Sequence, residues 1–313
     1  MVRLTEPSPG GGLTTRLGNF LRSTIAACGG VGGFIGACLV LLLVADALAA
    51  PLVAPYDPLA VDMTASLMPP DAVHWFGTDQ SGRDVLSRVI WGGRASLEVS
   101  ALAVVIGSGG GIALGLLAGF FSGGWLEQLL MRVLDAMAAI PLLIWAIALV
   151  GIMGVGNVTI AGVTFGNEIK LLTLLGVLYI PTLARITYTT ALGEARSNYV
   201  AARRLQGVGT LRIILSDVLP NCLSPVIVQG TLLLAIGIVI EASVSFVGLG
   251  VQPPEPSWGN MLADARNYLF SGEWWLSVFP GGAISLSVVA INLLGDGLRD
   301  ALDPRHSASA LTA

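Results

Sequence analysis

Asp46 and Glu241 have the strongest claim to chemistry, because each is an acid set inside a long apolar run. A carboxylate within a membrane span costs roughly 2–3 kcal/mol or more unless it faces protein or water. Two acids at one depth could share a proton for proteolysis or couple an ion to transport. Nothing in the sequence pairs these two. Glu241 therefore reads either as a group on a translocation path or conformational latch, or as an interhelical hydrogen-bonding residue. Arg185, inside another run, reads as a side chain that reaches back to the near interface.

Other chemistry is poorly supplied. The two histidines, His74 and His306, fall on opposite sides of the membrane in the topology below, which excludes a histidine-based metal cluster. No GxSxG or HExxH occurs. Cys28, Cys38 and Cys222 lie in or beside apolar runs without metal or disulfide spacing, and read as packing residues. A phosphate-binding loop needs Gly-Lys-Ser/Thr, yet the only lysine is Lys170 in Glu168-Ile169-Lys170-Leu171. The chain calls for no cofactor of its own. If ATP drives its function, another subunit binds the nucleotide and its magnesium. A net charge of -4, with no dense basic block, gives no reason to expect nucleic acid.

The elements that must position these groups are membrane helices. The chain is 54% hydrophobic and 12% charged, with a mean hydropathy of +0.79. Apolar runs of about 20 residues, enough to cross a ~30 Å hydrocarbon core, recur along it. The fold class is all-α integral membrane protein with about six spans, expected at 25–54, 97–121, 129–153, 169–190, 224–249 and 276–294. Residues 1–24 read as a polar tail and not a secretory signal, because the apolar run that follows is too long. Residues 55–96 form a polar segment rich in Asp and Pro. Residues 97–296 hold the other five helices, residues 154–168 a hairpin or loop, and residues 297–313 a charged tail. Gly29, Gly32, Gly33 and Gly36 fit the small-xxx-small contact pattern.

Six spans put both ends on one side. That side holds Arg3, Arg16, Arg22, Arg132, Arg196, Arg203, Arg204, Arg212, Arg299 and Arg305. The other holds Arg83, Arg88, Arg94, Lys170 and Arg266. The bias places the termini in the cytoplasm. It also places residues 199–221 there, between the fourth and fifth spans. In this stretch Gly207 and Gly209 divide two helical pieces and Pro220 ends the second. Leu211, Ile214, Leu215 and Val218 make one apolar stripe at i, i+3, i+4 and i+7. An amphipathic pair of this kind is a docking surface for a soluble partner. Outside, residues 74–88 mix glycines with alternating charges. They read as a solvated loop paired within itself, or as a contact surface for an extracytoplasmic partner.

Four stretches together resemble the inner-membrane permease subunits of ATP-binding-cassette importers for dipeptides and oligopeptides. Residues 194–221 are similar to the family's cytoplasmic EAA loop. Ala201-Ala202-Arg203 stands in the Glu-Ala-Ala place, Gly207 at the glycine, and Val218-Leu219-Pro220 at the ending. Ala201 replaces the usual acid. GTDQSGRDVLSRVIWGGRASL, EASVSFVGLGVQPPEPSWGNML and NLLGDGLRDALDPR resemble the family's signatures before the second span, after the fifth and at the C-terminus.

The resemblance implies a type I importer permease fold with a coupling helix. It implies a multi-pass protein of the bacterial inner membrane that pairs with a second, homologous permease around a path for peptides. One or two ATPase subunits would sit below and a substrate-binding protein above, with lipid around the helices. Tyr199, Ala201, Ala202, Arg203, Arg204, Gly207, Leu211, Leu219 and Pro220 would couple to the ATPase, with Arg203 and Arg204 making its charged contacts. Gly77, Thr78, Asp79, Gly82, Arg83, Asp84 and Trp258 would face the binding protein, and Glu241 the path. Members of the family also carry metal chelates, glutathione or haem, and the binding protein largely selects the solute. The competing reading is a self-contained secondary transporter or channel that uses Asp46 and Glu241 as coupling acids.

Overall fold

Long apolar runs decide where the helices lie, and caps and prolines decide where they begin and break. The computed structural model describes residues 24–25, 28–154, 156, 158–160 and 163–302. Arg3, Arg16, Arg22, Arg305 and His306, in the two expected tails, lie outside the described residues. In chain order the main elements are α1 (Val31–Leu48), α2 (Val85–Phe120), α3 (Trp125–Ala138), α4 (Leu142–Met153), strands β1 (Val158–Ile160) and β2 (Val163–Phe165), α5 (Asn167–Ala195), α6 (Asn198–Leu205), α7 (Leu219–Phe246), α8 (Trp258–Ala265) and α9 (Trp275–Leu302). β1 and β2 pair antiparallel as a hairpin, with Thr159 opposite Thr164. The rest of the described structure is helices and their connections.

Five helices are long and apolar enough to cross a membrane: α1, α2, α5, the continuous stretch Thr210–Phe246, and α9. The third expected span, 129–153, is not one helix. It breaks between α3 and α4 at Pro141, which has no N–H to donate and disfavours helical geometry at Ile140. The two pieces lie end to end along α5. α3 reaches its Tyr188 and Arg185, and Ala146 of α4 joins the core around Leu171, Leu174 and Leu175. Pro181, Pro225 and Pro280 sit inside α5, α7 and α9 without ending them.

α2 starts at Val85, well before the expected residue 97. Asp84 is its N-cap and accepts from the Ser87 backbone N–H at 2.8 Å. Its lower half packs on α5 through Gly107, Gly111, Gly115 and Gly119, one every turn. A Cβ at Gly111 would lie 2.5 Å from Leu183 Cβ, and one at Gly115 would lie 2.5 Å from the Ala184 carbonyl oxygen. Small residues let the two backbones approach this closely. α1 lies against α9, where Gly29 and Gly33 both face Gly297 and Gly36 faces Leu294.

Between α6 and α7 the chain makes a helical turn, Thr210–Ile213, and then a π turn, Ile214–Val218, that runs into α7. Pro220 therefore does not end a helix. It lies in the first turn of α7, where its missing N–H costs little. The wider π turn also changes the phase of the side chains. Ile213, Ile214 and Val218 are buried, whereas Leu211 and Leu215 are exposed. The expected stripe of Leu211, Ile214, Leu215 and Val218 is split between two faces.

Candidate functional site

The α6 end of the bundle is held by its inner face. Val200, Ile213, Ile214 and Val218 pack with Leu116 of α2, Ala191 of α5 and Cys222 of α7. Tyr199 Oη donates to Glu194, and Asn221 Nδ2 donates to the same carboxylate at 3.2 Å. Burial, then the bond to Glu194, push the Tyr199 phenol up. Gly207 takes φ +77 at the corner between α6 and the next turn, a conformation that L side chains rarely adopt. Ala201, Ala202 and Pro220 are exposed and Leu219 is half-buried. Leu205 is 90% exposed and Leu211 69%, so the corner carries two bare leucines.

The two arginines expected to dock a partner each have a partner within the chain. Arg203 Nε lies 3.1 Å from Asp217 Oδ2. The Arg204 guanidinium lies 5.0 Å from the centre of the Phe120 ring, at the end of α2. Both therefore brace α6 against the bundle. Arg212 is exposed and has no ion-pair partner among the described residues.

At the opposite end, the residues expected to face a binding protein are under the surface. Thr78, Asp79, Arg83, Asp84 and Trp258 are all buried, as are Gly77 and Gly82. Asp79 Oδ2 accepts from Arg83 Nε at 2.7 Å and lies 3.5 Å from Arg88 Nε. Arg88 also donates to the Pro58 carbonyl, and Asp84 accepts from His74 Nδ1 at 2.9 Å. Asp264 lies 3.9 Å from Arg83, and burial pushes its carboxyl up against the pull of the two arginines. Trp258 Nε1 donates to the Val89 carbonyl at 2.9 Å, with its ring against Gly93. Trp275 Nε1 donates to the Thr78 carbonyl at 3.1 Å. These groups pair among themselves, but inside a fold and not in a solvated loop. Val61, Met63, Val73 and Trp75, in the same outer segment, are exposed.

Glu241 is sealed between helices. Ser96 Oγ of α2 donates to one carboxylate oxygen at 2.6 Å, and Ser245 Oγ to the other at 2.7 Å. Ser245 Oγ in turn accepts from the Val251 N–H at 3.2 Å. These bonds join α7 to α2 and to the segment after α7. Asp46 is half-buried near the end of α1, on a different helix.

A third polar region was missed from sequence. Arg185 pairs with Asp135 of α3. Tyr188 Oη and the Gly123 N–H both donate to Glu127. The signal was the spacing of Glu127, Arg132 and Asp135 along α3, which straddles the start expected for the 129–153 span. Among the described residues no group of three or more His, Cys, Asp and Glu could hold a metal ion.

The sequence model for the binding-protein-dependent transport system inner membrane component matches residues 111–307, from the glycine ridge through the α6 corner to the C-terminal signature. This chain belongs to that family. The permease is 44% identical to the di/tripeptide transport system permease protein DppC of Pseudomonas aeruginosa (strain UCBPP-PA14), over 98% of this chain and 96% of that one. It is 42% identical to the dipeptide transport system permease protein DppC of Escherichia coli (strain K12), over 88% of this chain and 89% of that one. With the probable D,D-dipeptide transport system permease protein DdpC of the same organism it shares 37% identity, over 86% of each. As a permease subunit of an ATP-binding-cassette importer it is a multi-pass inner-membrane component whose transport depends on a binding protein. The family is one of transmembrane subunits and not of catalysts. A self-contained carrier coupled through Asp46 and Glu241 is not favoured.

Proposed function

We propose that this permease forms one half of an import path for di- and oligopeptides, completed by a second, homologous permease and driven by separate ATPase subunits that hold ATP and magnesium. The observation that carries this reading is the α6 corner. Leu205 and Leu211 stand bare beside Gly207 on a rigidly backed surface. Exposed large apolar side chains grouped this way mark a contact surface. The chain has no phosphate loop of its own, so an ATPase domain is the occupant that gives the corner a purpose. Contact is made by the leucines and Arg212, with Tyr199, Arg203 and Arg204 holding α6 in place behind them.

The basic-residue bias supports placing the α6 corner and both termini in the cytoplasm and residues 55–84 outside. The binding protein then meets the surface around Trp75 and Met63. The buried Asp79–Arg83–Arg88 network fixes that surface and does not touch the partner itself. Glu241 locks α7 to α2 and is not part of the path. Peptide substrates follow from the names of the relatives.

Affinity purification of the tagged chain from its native membrane tests this directly. An ATP-binding-cassette ATPase and a second permease are expected to co-purify, and Leu211→Cys should form a disulfide or bifunctional cross-link with the ATPase. A chain that purifies without either partner would contradict the proposal.

A further inference from the structure

α9 sets the level of the bilayer. Between Glu273 and Asp296 the chain carries no charged residue. That run is about 20 residues long, which at about 1.5 Å per residue matches a ~30 Å hydrocarbon core. α9 is a membrane span by length and composition as well. The hydrocarbon boundary on the side of the Asp79 network therefore falls at Trp274 and Trp275, at the height where indole rings prefer to sit.

The turn from α8 into α9 lies at that boundary. Its inner side is fixed. Tyr268 packs with Val85, Met261 and Trp275, and Trp275 Nε1 is bonded to the Thr78 carbonyl. Its outer side is bare: Phe270 is fully exposed, Leu269 58% and Trp274 56%. The patch runs on into the span. The Trp274 ring centre lies 5.8 Å from that of Phe279. Val278 donates its N–H to the Trp274 carbonyl, one turn along, and is itself exposed. Arg266, at the start of the turn, is exposed and has no ion-pair partner among the described residues.

We infer that residues 266–274 form an interfacial anchor seated in the lipid leaflet on the Asp79 side of the membrane. Leu269, Phe270 and Trp274 enter the boundary between headgroups and acyl chains, as the apolar faces of interfacial segments do. Arg266 meets lipid phosphate, an acceptor that guanidinium groups bind well. Height and continuity select lipid as the occupant. A soluble partner would have to reach down to the hydrocarbon boundary to cover the same side chains. Through Trp275 and its bond to Thr78, the anchor sets the depth of the Asp79 network relative to the bilayer.

The test uses the transporter in proteoliposomes with its partner permease and ATPases, first without the binding protein. Cys28, Cys38 and Cys222 are replaced by Ala, and a nitroxide is attached at Phe270→Cys. Power-saturation EPR compares collisions with oxygen, which concentrates in lipid, against collisions with a water-soluble nickel chelate. Leu41→Cys on α1 supplies the lipid reference and Met63→Cys the water reference, both positions being exposed. The label at 270 should follow Leu41, with frequent oxygen collisions and few with the chelate. Chelate collisions as frequent as at Met63 overturn the anchor. Protection from both reagents also overturns it, because protein then covers the turn, as does loss of oxygen collisions when the binding protein is added. Trp274→Phe in the chain with its native cysteines gives an independent reading, and decides the matter if the cysteine-free chain does not assemble. The fluorescence removed by that substitution should be quenched by lipids brominated close to the headgroup and spared by iodide. Quenching by iodide and not by the brominated lipids overturns the anchor.

Discussion

At the Asp79 end of the bundle charged side chains are buried, and at the Gly207 end leucines are exposed. Asp79, Arg83, Asp84 and Arg88 are each less than one-tenth exposed, and they hold one another and the backbone around them. Leu205 and Leu211 have nothing over them. A buried ionic network is expensive to assemble and costly to break. Such a network fixes one geometry whether or not a partner is present. An apolar corner behaves in the opposite way: it gains stability only when something covers it. The first end holds its shape by itself, and the second leaves apolar side chains uncovered.

The comparison breaks most visibly at Asp79. Asp79→Ala leaves Arg83 and Arg88 buried without their shared acid, and should destabilise the protein by about 3–5 kcal/mol. Thermal unfolding and the yield of folded protein in detergent report it, and an unchanged midpoint would dissolve the contrast between the ends. Leu211→Asp should do the reverse. Stability should stay within about 0.5 kcal/mol of wild type, as for most surface substitutions. Binding of the ATPase, measured by co-purification, should be lost.

Gly207→Val sharpens the picture at the corner. No atom lies within 4 Å of the position a Cβ would take, so the cost is backbone strain alone at φ +77. That strain is about 1–2 kcal/mol and local. The variant should fold, yet hydrolyse ATP with less transport per turnover, because the turn after α6 is displaced. Arg204→Ala has the smallest expected effect. It removes the contact over Phe120 and should cost about 0.5–1 kcal/mol. The measurable consequence is faster hydrogen exchange in α6, while exchange in the α2–α5 core stays unchanged.

The long helices were legible because about 20 apolar residues in a row have few other fates. The broken span was not, because Pro141 looks no different in sequence from Pro181, Pro225 or Pro280, which their helices absorb. The 199–221 stretch was legible as helix, glycine, helix. Its exposed face was not, because Leu211 and Leu215 turn out while Ile213, Ile214 and Val218 turn in. The Asp79 segment misled for another reason. Alternating charges read as solvent-facing until the fold shows Asp79 set between Arg83 and Arg88. The pairing of α3 with α5 escaped because a hydropathy average over residues 129–153 hides Asp135 among leucines.

ATP dependence of uptake tests the central claim most directly. Proteoliposomes holding this chain with its partner permease and ATPases, given the binding protein outside and ATP inside, should accumulate labelled tri-alanine against a gradient. Removing the ATP or substituting Leu211→Asp should abolish accumulation. Tri-alanine movement by this chain alone, with no ATP and no partner, would contradict the account.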